Sequence, residues 1–456
     1  MTEFIYHPRN KEELKKLTDD LSVSLASIDT SLINDMSELF MDSKRLNFSG
    51  IEKWDTHSVQ NMDAMFYGCT TFNEDISSWD TSHVLSMRAM FQFAFAFNQD
   101  LNKWNTSTVK NMQGMFMEAR CFNGSVENWN TSEVTNMSVM FGGALNFNKP
   151  LGNWDVSSVT DMSRMFLNAK CFNQPISNWD VSKVRNMELM FCSAESFDQN
   201  LNSWNVSKVK KMNSQFLNAK KFNQPLDKWD VSAVTDMRSM FEGTDNFNQP
   251  LNTWNVSKVK RMDQMFMYAS TFNQPLDHWN VSSVTDMSAM FALSKKFNQS
   301  VGEWNVSSVK KMTGMFMGAE CFNQPLNGWN TSAVNDLQGM FQNAKAFNQQ
   351  LDNWNVSSVV NMCRMFNGAS SFNQLLENWN VSGVKKMDQM FKDATSFNRP
   401  LNSWNVSNVT SFSEMFMNAI SFDQTLTDWK VAKRACIRRM FSGAVKYNQN
   451  LNVKDI

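Results

Sequence analysis

The side chains that most often carry chemistry in proteins are sparse in this sequence of 456 residues. Its four histidines, His7, His57, His83 and His278, are scattered along the chain. They therefore predict neither a metal site nor a base paired with a nucleophile. No GxxxxGK[ST] or GxGxxG segment is present to cradle a phosphate group. These observations predict a protein that is not an enzyme and that holds no cofactor and no metal ion.

The composition excludes two further classes of protein. Lys and Arg number 43 and Asp and Glu number 44, so no global basic field attracts nucleic acid. No apolar run approaches the roughly 20 residues that a membrane-spanning helix needs. The chain is nevertheless rich in Trp, Phe and Met, with 16, 37 and 35 copies, and poor in Tyr, with 4. Such a skew indicates one small unit copied many times.

The tryptophans reveal that unit. Trp54 is followed by a Trp every 25 residues up to Trp429, and all 16 Trp lie on this lattice. With each Trp numbered position 0, Phe occupies position +12 from Phe66 onward, and Met occupies most of positions +8 and +11. A fixed period of this length predicts a solenoid or a propeller, because one such unit cannot bury its apolar face alone.

The stretch Phe247–Thr271, FNQPLNTWNVSKVKRMDQMFMYAST, represents one repeat. Apolar residues lie 3, 6, 7 and 10 positions after Val259, the last of them being Ala269. This spacing predicts a helix of about two turns with Ser257 as its N-cap. The segment from Phe247 to Val256 contains Asn and Pro and predicts one short strand and a tight corner. The predicted fold class is an α/β solenoid of about 16 strand–turn–helix units stacked in register.

The invariant positions predict ladders of like residues inside the stack. Core packing is the favoured interpretation, since a column without variation must meet its own copy in the neighbouring repeats. An exposed row of Trp that stacks on sugars is the alternative. Repeated Asn would satisfy backbone groups at the corner or bond to its copy, and the N-x-S/T matches it creates are interpreted as by-products. The ladder residues are Trp54, Trp79, Trp254, Trp429, Phe66, Phe266, Phe247, Met262, Met265, Asn248 and Asn255.

The ends depart from the repeat and suggest domain boundaries. Residues 1–27 predict a helical cap, because Asn10 and Glu13 resemble a capping box before a charged segment with an apolar stripe. Residues 28–446 predict the solenoid, as a partial unit 28–46 followed by 16 units of 25 residues. Residues 447–456 predict a C-terminal half unit. Charged, degenerate ends would keep solenoids from stacking end to end.

Three of the seven cysteines, Cys121, Cys171 and Cys321, share the position eight residues before Trp. Two repeats separate Cys121 from Cys171, or roughly 9 to 10 Å along a stack. That distance exceeds the approximately 7 Å Cα limit for a disulfide. Without a CxxC or Cys/His cluster, the sequence predicts free, buried thiols and a reducing compartment.

Charged pairs at positions +6 and +7 form the most informative variable pattern. Basic pairs alternate with pairs that end in Asp, so the period doubles to 50 residues. Acidic and basic pairs one repeat apart are near enough for surface ion pairs, each worth at most about 1 kcal/mol. A solvated stripe that fixes register is one interpretation, and a surface that reads a ligand is the other. The candidate interaction residues are Lys210, Lys211, Lys260, Arg261, Lys310, Lys311, Asp236 and Asp286.

The repeat FNQPLNTWNVSKVKRMDQMFMYAST resembles the 25-residue repeat of the BspA-like surface proteins, first described as a mycoplasma lipoprotein repeat. The resemblance covers about residues 28 to 456 and rests on the Trp, the MF pair and the FNQPL segment. It implies a right-handed solenoid similar to leucine-rich repeats. It also implies surface adhesion or protein binding, with no enzyme activity.

The functional prediction is a non-catalytic scaffold for protein–protein interaction or adhesion, which binds a protein partner along an extended face. The alternative is a structural virion or surface-layer component that assembles with itself or a capsid, and carbohydrate binding is the least favoured. The chain shows no signal peptide, lipobox cysteine or anchor, which predicts a cytoplasmic or virion-associated protein. A cell-surface location would follow if a leader had been removed.

Overall fold

The computed structural model describes residues 4–448, and the predicted C-terminal half unit lies outside the described residues except for Tyr447 and Asn448. The chain divides into two compact halves, Met1–Trp229 and Asp230–Ile456. Helix α1 spans Lys11–Asp19, and two short 3-10 turns follow at Leu25–Ser27 and Ile51–Lys53. The remainder of the described chain consists of turns, irregular segments and single residues that form parallel β-bridges.

Helix α1 is closed at both ends by side chains. At its start, Asn10 Oδ1 accepts a hydrogen bond from the Glu13 amide at 2.9 Å, and Glu13 Oε2 accepts one from the Arg9 amide at 2.8 Å. The first bond is that of a capping box, whereas the second reaches the Arg9 amide, one residue before the N-cap Asn10. At its end, the Arg45 guanidinium donates to the carbonyl oxygens of Thr18 and Asp20 at 3.2 and 2.8 Å. The α-helix thus lies within the segment for which the sequence predicted a helical cap.

Within each half, neighbouring repeats meet through parallel bridges at position +7. In the C-terminal half, for example, Asp236 pairs with Arg261 and Arg261 pairs with Asp286. Beyond the bridge, the amides at positions +8, +10, +12 and +14 donate to carbonyl oxygens of the next repeat. In the repeat of Trp254 these bonds join Met262 to Asp286, Gln264 to Ser288, Phe266 to Met290 and Tyr268 to Ala292, with N–O distances of 2.8 to 3.2 Å.

Left-handed residues make this ladder possible. Gln264 at position +10 has φ 61° and Tyr268 at position +14 has φ 58°, and the same positions are left-handed in most repeats. Each reversal of φ turns the next peptide plane, so that alternate amides point toward the neighbouring repeat. The amides between them close turns within the repeat, as Met265 does on the carbonyl of Met262 at 3.2 Å.

The prediction of a helix in each repeat is therefore wrong. Residues 263–268 form consecutive turns, and a helix would have kept all of their amides inside the repeat. Ser257 is not an N-cap: its amide donates to Asn255 Oδ1 at 3.2 Å, which closes a local turn. The short strand predicted between Phe247 and Val256 is also absent from the described residues, and the inter-repeat bridges form at position +7 instead. What remains is a solenoid-like repeat fold built from turns.

The interior of both halves is a set of aromatic and thioether columns. The rings of Phe266 and Phe291 are 5.6 Å apart and nearly parallel, and Phe266 also stacks on Phe272 at 4.1 Å. The indoles of Trp254 and Trp279 lie 6.5 Å apart at an interplanar angle of 1°. Their stacking follows from the register, since each repeat sets the same side chain beneath its copy.

Asparagines tie the corners of adjacent repeats together. Asn248 Oδ1 accepts a hydrogen bond from the Asn273 amide at 2.9 Å, and Asn273 does the same for Asn298 at 2.9 Å. The carbonyl group of the side chain thus satisfies a backbone donor that no regular sheet would reach. Asn255 has a different role, because it caps the turn of its own repeat.

Candidate interaction surface

One flank of the backbone ladder is an exposed to half-buried surface on which the repeats differ. We call it the stripe and define it as positions +6, +7, +9 and +10 of the repeats. In the repeat of Trp254, Lys260 and Arg261 of the stripe are exposed. Met262, Met265 and Phe266, which follow them in the same repeat, are fully buried. The stripe therefore combines variable side chains with a backbone held rigidly by inter-repeat hydrogen bonds.

Charges alternate at the bridge position of the C-terminal half. Asp236, Arg261, Asp286, Lys311 and Asp336 pair in that order through successive parallel bridges. The structure thus brings together the acidic and basic positions that the sequence placed one repeat apart. Lys260 and Lys310 stand beside this column at position +6 and are exposed. Lys210 and Lys211, at the corresponding positions of the N-terminal half, are exposed as well.

Arg261 of this column and Arg238 at position +9 each form an ion pair within their own repeat, whereas the sequence had suggested pairs across repeats. Arg261 binds Asp263 through two hydrogen bonds, Nε to Oδ1 at 3.0 Å and Nη2 to Oδ2 at 3.1 Å. Arg238 binds Asp236 with an Nη2–Oδ2 distance of 2.7 Å. Positions +7 and +9 are two residues apart and their side chains leave the ladder on the same side, so the short path within one repeat is favoured.

A polar cavity of about 320 Å³ lies on the stripe of the C-terminal half. At its centre, Asp388 Oδ1 accepts from the Ser413 amide at 3.1 Å, and Asp388 Oδ2 accepts from the Cys363 thiol at 3.4 Å. Arg364 donates from Nε to Gln389 Oε1 at 2.7 Å. Neutral donors therefore hold the carboxylate. The cavity is lined by Gln338, Asn361, Cys363, Arg364, Lys386, Asp388, Gln389 and Ser413.

The Cys363 thiol in this cavity is not a nucleophile at neutral pH. Burial away from water is the main reason that its pKa rises to about 11. The thiolate is the reactive form of cysteine, and almost none is present when the pKa is so high. The cavity is therefore suited to binding through hydrogen bonds and charge.

The N-terminal half contains the same arrangement in a closed form. Asp63 Oδ1 accepts from Ser86 Oγ at 2.5 Å and from the Arg88 amide at 2.7 Å, as Asp388 does from the corresponding residues. Here, however, the Arg88 side chain returns to Asp63, with Nε 3.4 Å from Oδ2. Ser413 occupies the equivalent place beside Asp388 and leaves room for a ligand.

The tryptophan ladder is almost entirely buried. Trp54, Trp79, Trp254 and Trp429 are between 2% and 5% exposed. Each indole N–H is also satisfied inside the protein, as in Trp279, which donates to the carbonyl of Leu251 at 2.9 Å. Carbohydrate binding by the tryptophans required exposed indole faces, and these side chains are buried instead.

The cysteines are less buried than the sequence predicted. All seven are free thiols, of which Cys69 and Cys192 are buried. Cys121, Cys171 and Cys321 are exposed, because the position eight residues before Trp lies on the outer corner of the repeat. The interpretation of these three as buried thiols was therefore wrong.

Within residues 4–448, no helix is long and apolar enough to cross a membrane. In the same part of the chain, no group of three or more His, Cys, Asp and Glu side chains is placed to hold a metal ion.

The charge pattern of the sequence identified positions +6 and +7 of the stripe, but the sequence did not predict the cavity. Arg364 and Asp388 are distant in sequence and differ in position within their repeats. The available signal was variation at positions +9 and +10, where Cys363, Asp388 and Ser413 succeed one another at intervals of 25 residues.

The chain shares a general likeness with two solved repeat proteins. It is 9% identical to the functional domain of InlJ from Listeria monocytogenes, with 80% of this chain and 73% of that chain covered and a TM-score of 0.20. It is 8% identical to the LRR protein LIC12759 of Leptospira interrogans, with 88% and 94% covered and a TM-score of 0.19. No curated protein matches the chain.

A family model described as "Mycoplasma protein of unknown function, DUF285" matches five overlapping segments, residues 12–126, 117–227, 197–292, 275–362 and 347–454. These segments include every Trp of the 25-residue lattice. The BspA-like relationship inferred from the repeat is confirmed. The chain belongs to this DUF285 family of mycoplasma-type repeat proteins.

Proposed function

We propose that the chain is a non-catalytic scaffold that binds a partner protein through the stripe. The observation that carries the proposal is the contrast between invariant buried columns and a variable, exposed stripe on one rigid ladder. Repeat proteins commonly place recognition on such variable surface positions. The free thiol of the stripe cavity has a raised pKa, which favours binding over covalent chemistry.

Site-specific photo-crosslinking tests this proposal. A photoreactive phenylalanine analogue would replace Lys310 on the stripe or, as the matched control, Lys258 at position +4 outside the stripe, since both are exposed. In an extract of the native source, we expect protein adducts from position 310 and few from position 258. Equal adducts from the two positions would contradict a stripe-specific scaffold.

We further propose that the protein works in a reducing compartment, as a cytoplasmic or virion-associated scaffold. The exposed thiols of Cys121, Cys171 and Cys321 support this location, because accessible thiols persist where glutathione and thioredoxin keep them reduced. Alkylating the protein in its native source before lysis tests the proposal. All three thiols should be labelled, whereas oxidised or glycan-bearing protein would favour the cell surface and an adhesive role.

A further inference from the structure

We propose that the stripe of the C-terminal half binds an extended acidic segment of the partner, which names the partner chemistry and rests on the proposed scaffold function. Six cations of this stripe carry the proposal. None of them makes an ion pair within 4.0 Å in the described part of the chain. We call them the cationic row, and they are Lys260, Lys310, Lys311, Arg364, Lys385 and Lys386.

Three carboxylates near the cationic row, Asp286, Asp336 and Asp388, keep their negative charge but are outnumbered by its six cations, with which they form no ion pair within 4.0 Å. Asp286 Oδ1 accepts from the Ser288 amide at 3.0 Å, and Asp336 Oδ1 accepts from the Gln338 amide at 2.9 Å. These bonds close turns in the carboxylates' own repeats. Asp263 is occupied by Arg261. The row therefore keeps a positive surplus although the whole chain has a net charge of -1.

The spacing of the row suits an extended peptide. Bridged repeats lie about 4.8 Å apart, so the two repeats from Lys260 to Lys310 span about 10 Å. An extended chain advances about 3.3 Å per residue. Acidic residues at every third position of a partner segment would therefore meet Lys260, Lys310 and Arg364, which stand in every second repeat.

The cavity supplies a specific contact at one end of the row. Arg364 and Lys386 both line it, and the Arg364 guanidinium is oriented by its Nε bond to Gln389. Its two Nη groups make no hydrogen bond to the described residues and are left for a ligand. A guanidinium binds a carboxylate through two parallel hydrogen bonds. One acidic side chain of the partner would thus enter the cavity.

A nucleic acid is a poorer match to the row than an acidic peptide. Phosphates follow one another at about 3.4 Å along each DNA strand, whereas the cations of the row lie in repeats that are one or two repeats apart. Asp286 and Asp336 also lie between the cations, where a phosphate backbone would place further negative charge and a peptide with acidic residues at every third position would place neutral residues.

Fluorescence anisotropy with defined probes tests the inference. The full chain would be titrated into a labelled peptide with Glu at every third residue, into the same peptide with Lys, and into a single-stranded oligonucleotide of equal charge. We expect binding of the Glu peptide alone, and we expect it to weaken as salt rises. Absence of Glu-peptide binding, or equal binding of the oligonucleotide, would overturn the proposal.

Matched variants locate the site. The double variant Lys310→Thr, Lys311→Asn uses residue types that occur at these positions in other repeats, as in Thr285 and Asn361. It should weaken Glu-peptide binding about tenfold, and Arg364→Gln should weaken it by a similar factor. The control Lys258→Ser, Lys296→Ser removes the same charge from exposed positions outside the row and should change binding less than about twofold.

The outcomes also separate this inference from the proposed function. Equal losses in the row variant and the control would mean that net charge alone attracts the peptide, which contradicts the cationic row as a site. If position 310 crosslinks a partner that lacks an acidic segment, the acidic partner is refuted and the scaffold remains.

Discussion

The interior columns and the stripe lie within a few residues of each other in every repeat, but they carry different amounts of variation. Phe occupies position +12 in all 16 repeats, whereas position +9 holds residues as different as Asp63, Arg88, Cys363 and Asp388. An interior side chain meets its own copy on both sides, so one residue type fits throughout. Stripe side chains are exposed or half-buried in most repeats, and the inter-repeat backbone bonds beneath them form with many residue types. The interior should therefore determine stability, and the stripe should determine binding.

The largest expected effect is the loss of an interior ring. Phe316 is fully buried and lies 3.9 Å from Phe322 and 5.7 Å from Phe291. Phe316→Ala should lower the free energy of unfolding of its half by about 3–5 kcal/mol. Urea unfolding of the full chain, followed by Trp fluorescence, measures this loss.

The control for that prediction is Thr313→Ala on the stripe of the same repeat. A surface change of this kind should stay within about 0.5 kcal/mol. Equal losses from the two variants would break the contrast between interior and stripe.

A smaller effect of opposite sign is expected at the one polar residue of the Met column, Gln215. It is fully buried, and its Oε1 has no hydrogen-bond partner among the described residues. Gln215→Met should raise the free energy of unfolding by about 1–3 kcal/mol, because an unsatisfied buried polar atom is removed. The midpoint of urea unfolding should rise. Gln113→Met on the stripe should leave the midpoint nearly unchanged, and a lower midpoint for Gln215→Met would show that the column needs the amide.

The asparagine ladder lies between the interior and the surface, and its loss should cost less than the loss of a ring. Asn298 Oδ1 accepts from the Asn323 amide at 2.9 Å and from Gln324 Nε2 at 3.0 Å. Asn298→Ala should cost about 1–2 kcal/mol, since the Asn323 amide loses its acceptor. Hydrogen exchange at Asn323 should become faster while exchange in distant repeats is unchanged. A uniform change over the whole chain would contradict coupling between nearest neighbours.

The smallest expected effect concerns pH and the outer corner of the repeats. Glu320 lies between Lys345 and Lys295, with N–O distances of 3.1 and 3.6 Å. The hydrogen bond from Lys345 is the main reason that the pKa of Glu320 lies below its ordinary value of 4.5. Its contribution to stability is therefore complete above that value and is lost as the pH falls through the lowered pKa.

Unfolding measured as a function of pH checks this contribution. Wild type should lose slightly more stability than Glu320→Gln below pH 4.5, and salt should reduce the difference. Identical pH profiles for the two proteins would show that the corner pairs contribute nothing to folding.

The repeat period and the identity of the buried residues could be predicted, because a buried position keeps the same residue type from repeat to repeat. The local backbone could not. Val259, Met262, Phe266 and Ala269 have a spacing that suits a helix. A series of β-turns, each closed by a hydrogen bond between residues three apart, sets the same side chains on one face. Gln264 and Tyr268 gave no sign of a left-handed backbone. The available signal was the frequent Gly or Asn at position +14 in other repeats.

The stripe was predictable only in part for a related reason. Lys260 and Arg261 stand out because their charges recur at a doubled period. The cavity beside Asp388 depends instead on which side chain of the next repeat returns to the carboxylate. Arg88 closes the site around Asp63, and Ser413 leaves the site around Asp388 open. That difference involves positions 25 residues apart and becomes visible only when the repeats are stacked.

The amino-acid sequence alone determined the 25-residue period, the family and the identity of the buried columns, since a residue that must pack against its own copy cannot vary. The tertiary structure decided how the backbone runs between those columns, which carboxylates are already occupied and which cations are left for a partner. These features depend on hydrogen bonds between repeats. Such bonds stabilise a peptide orientation that no single repeat would adopt alone.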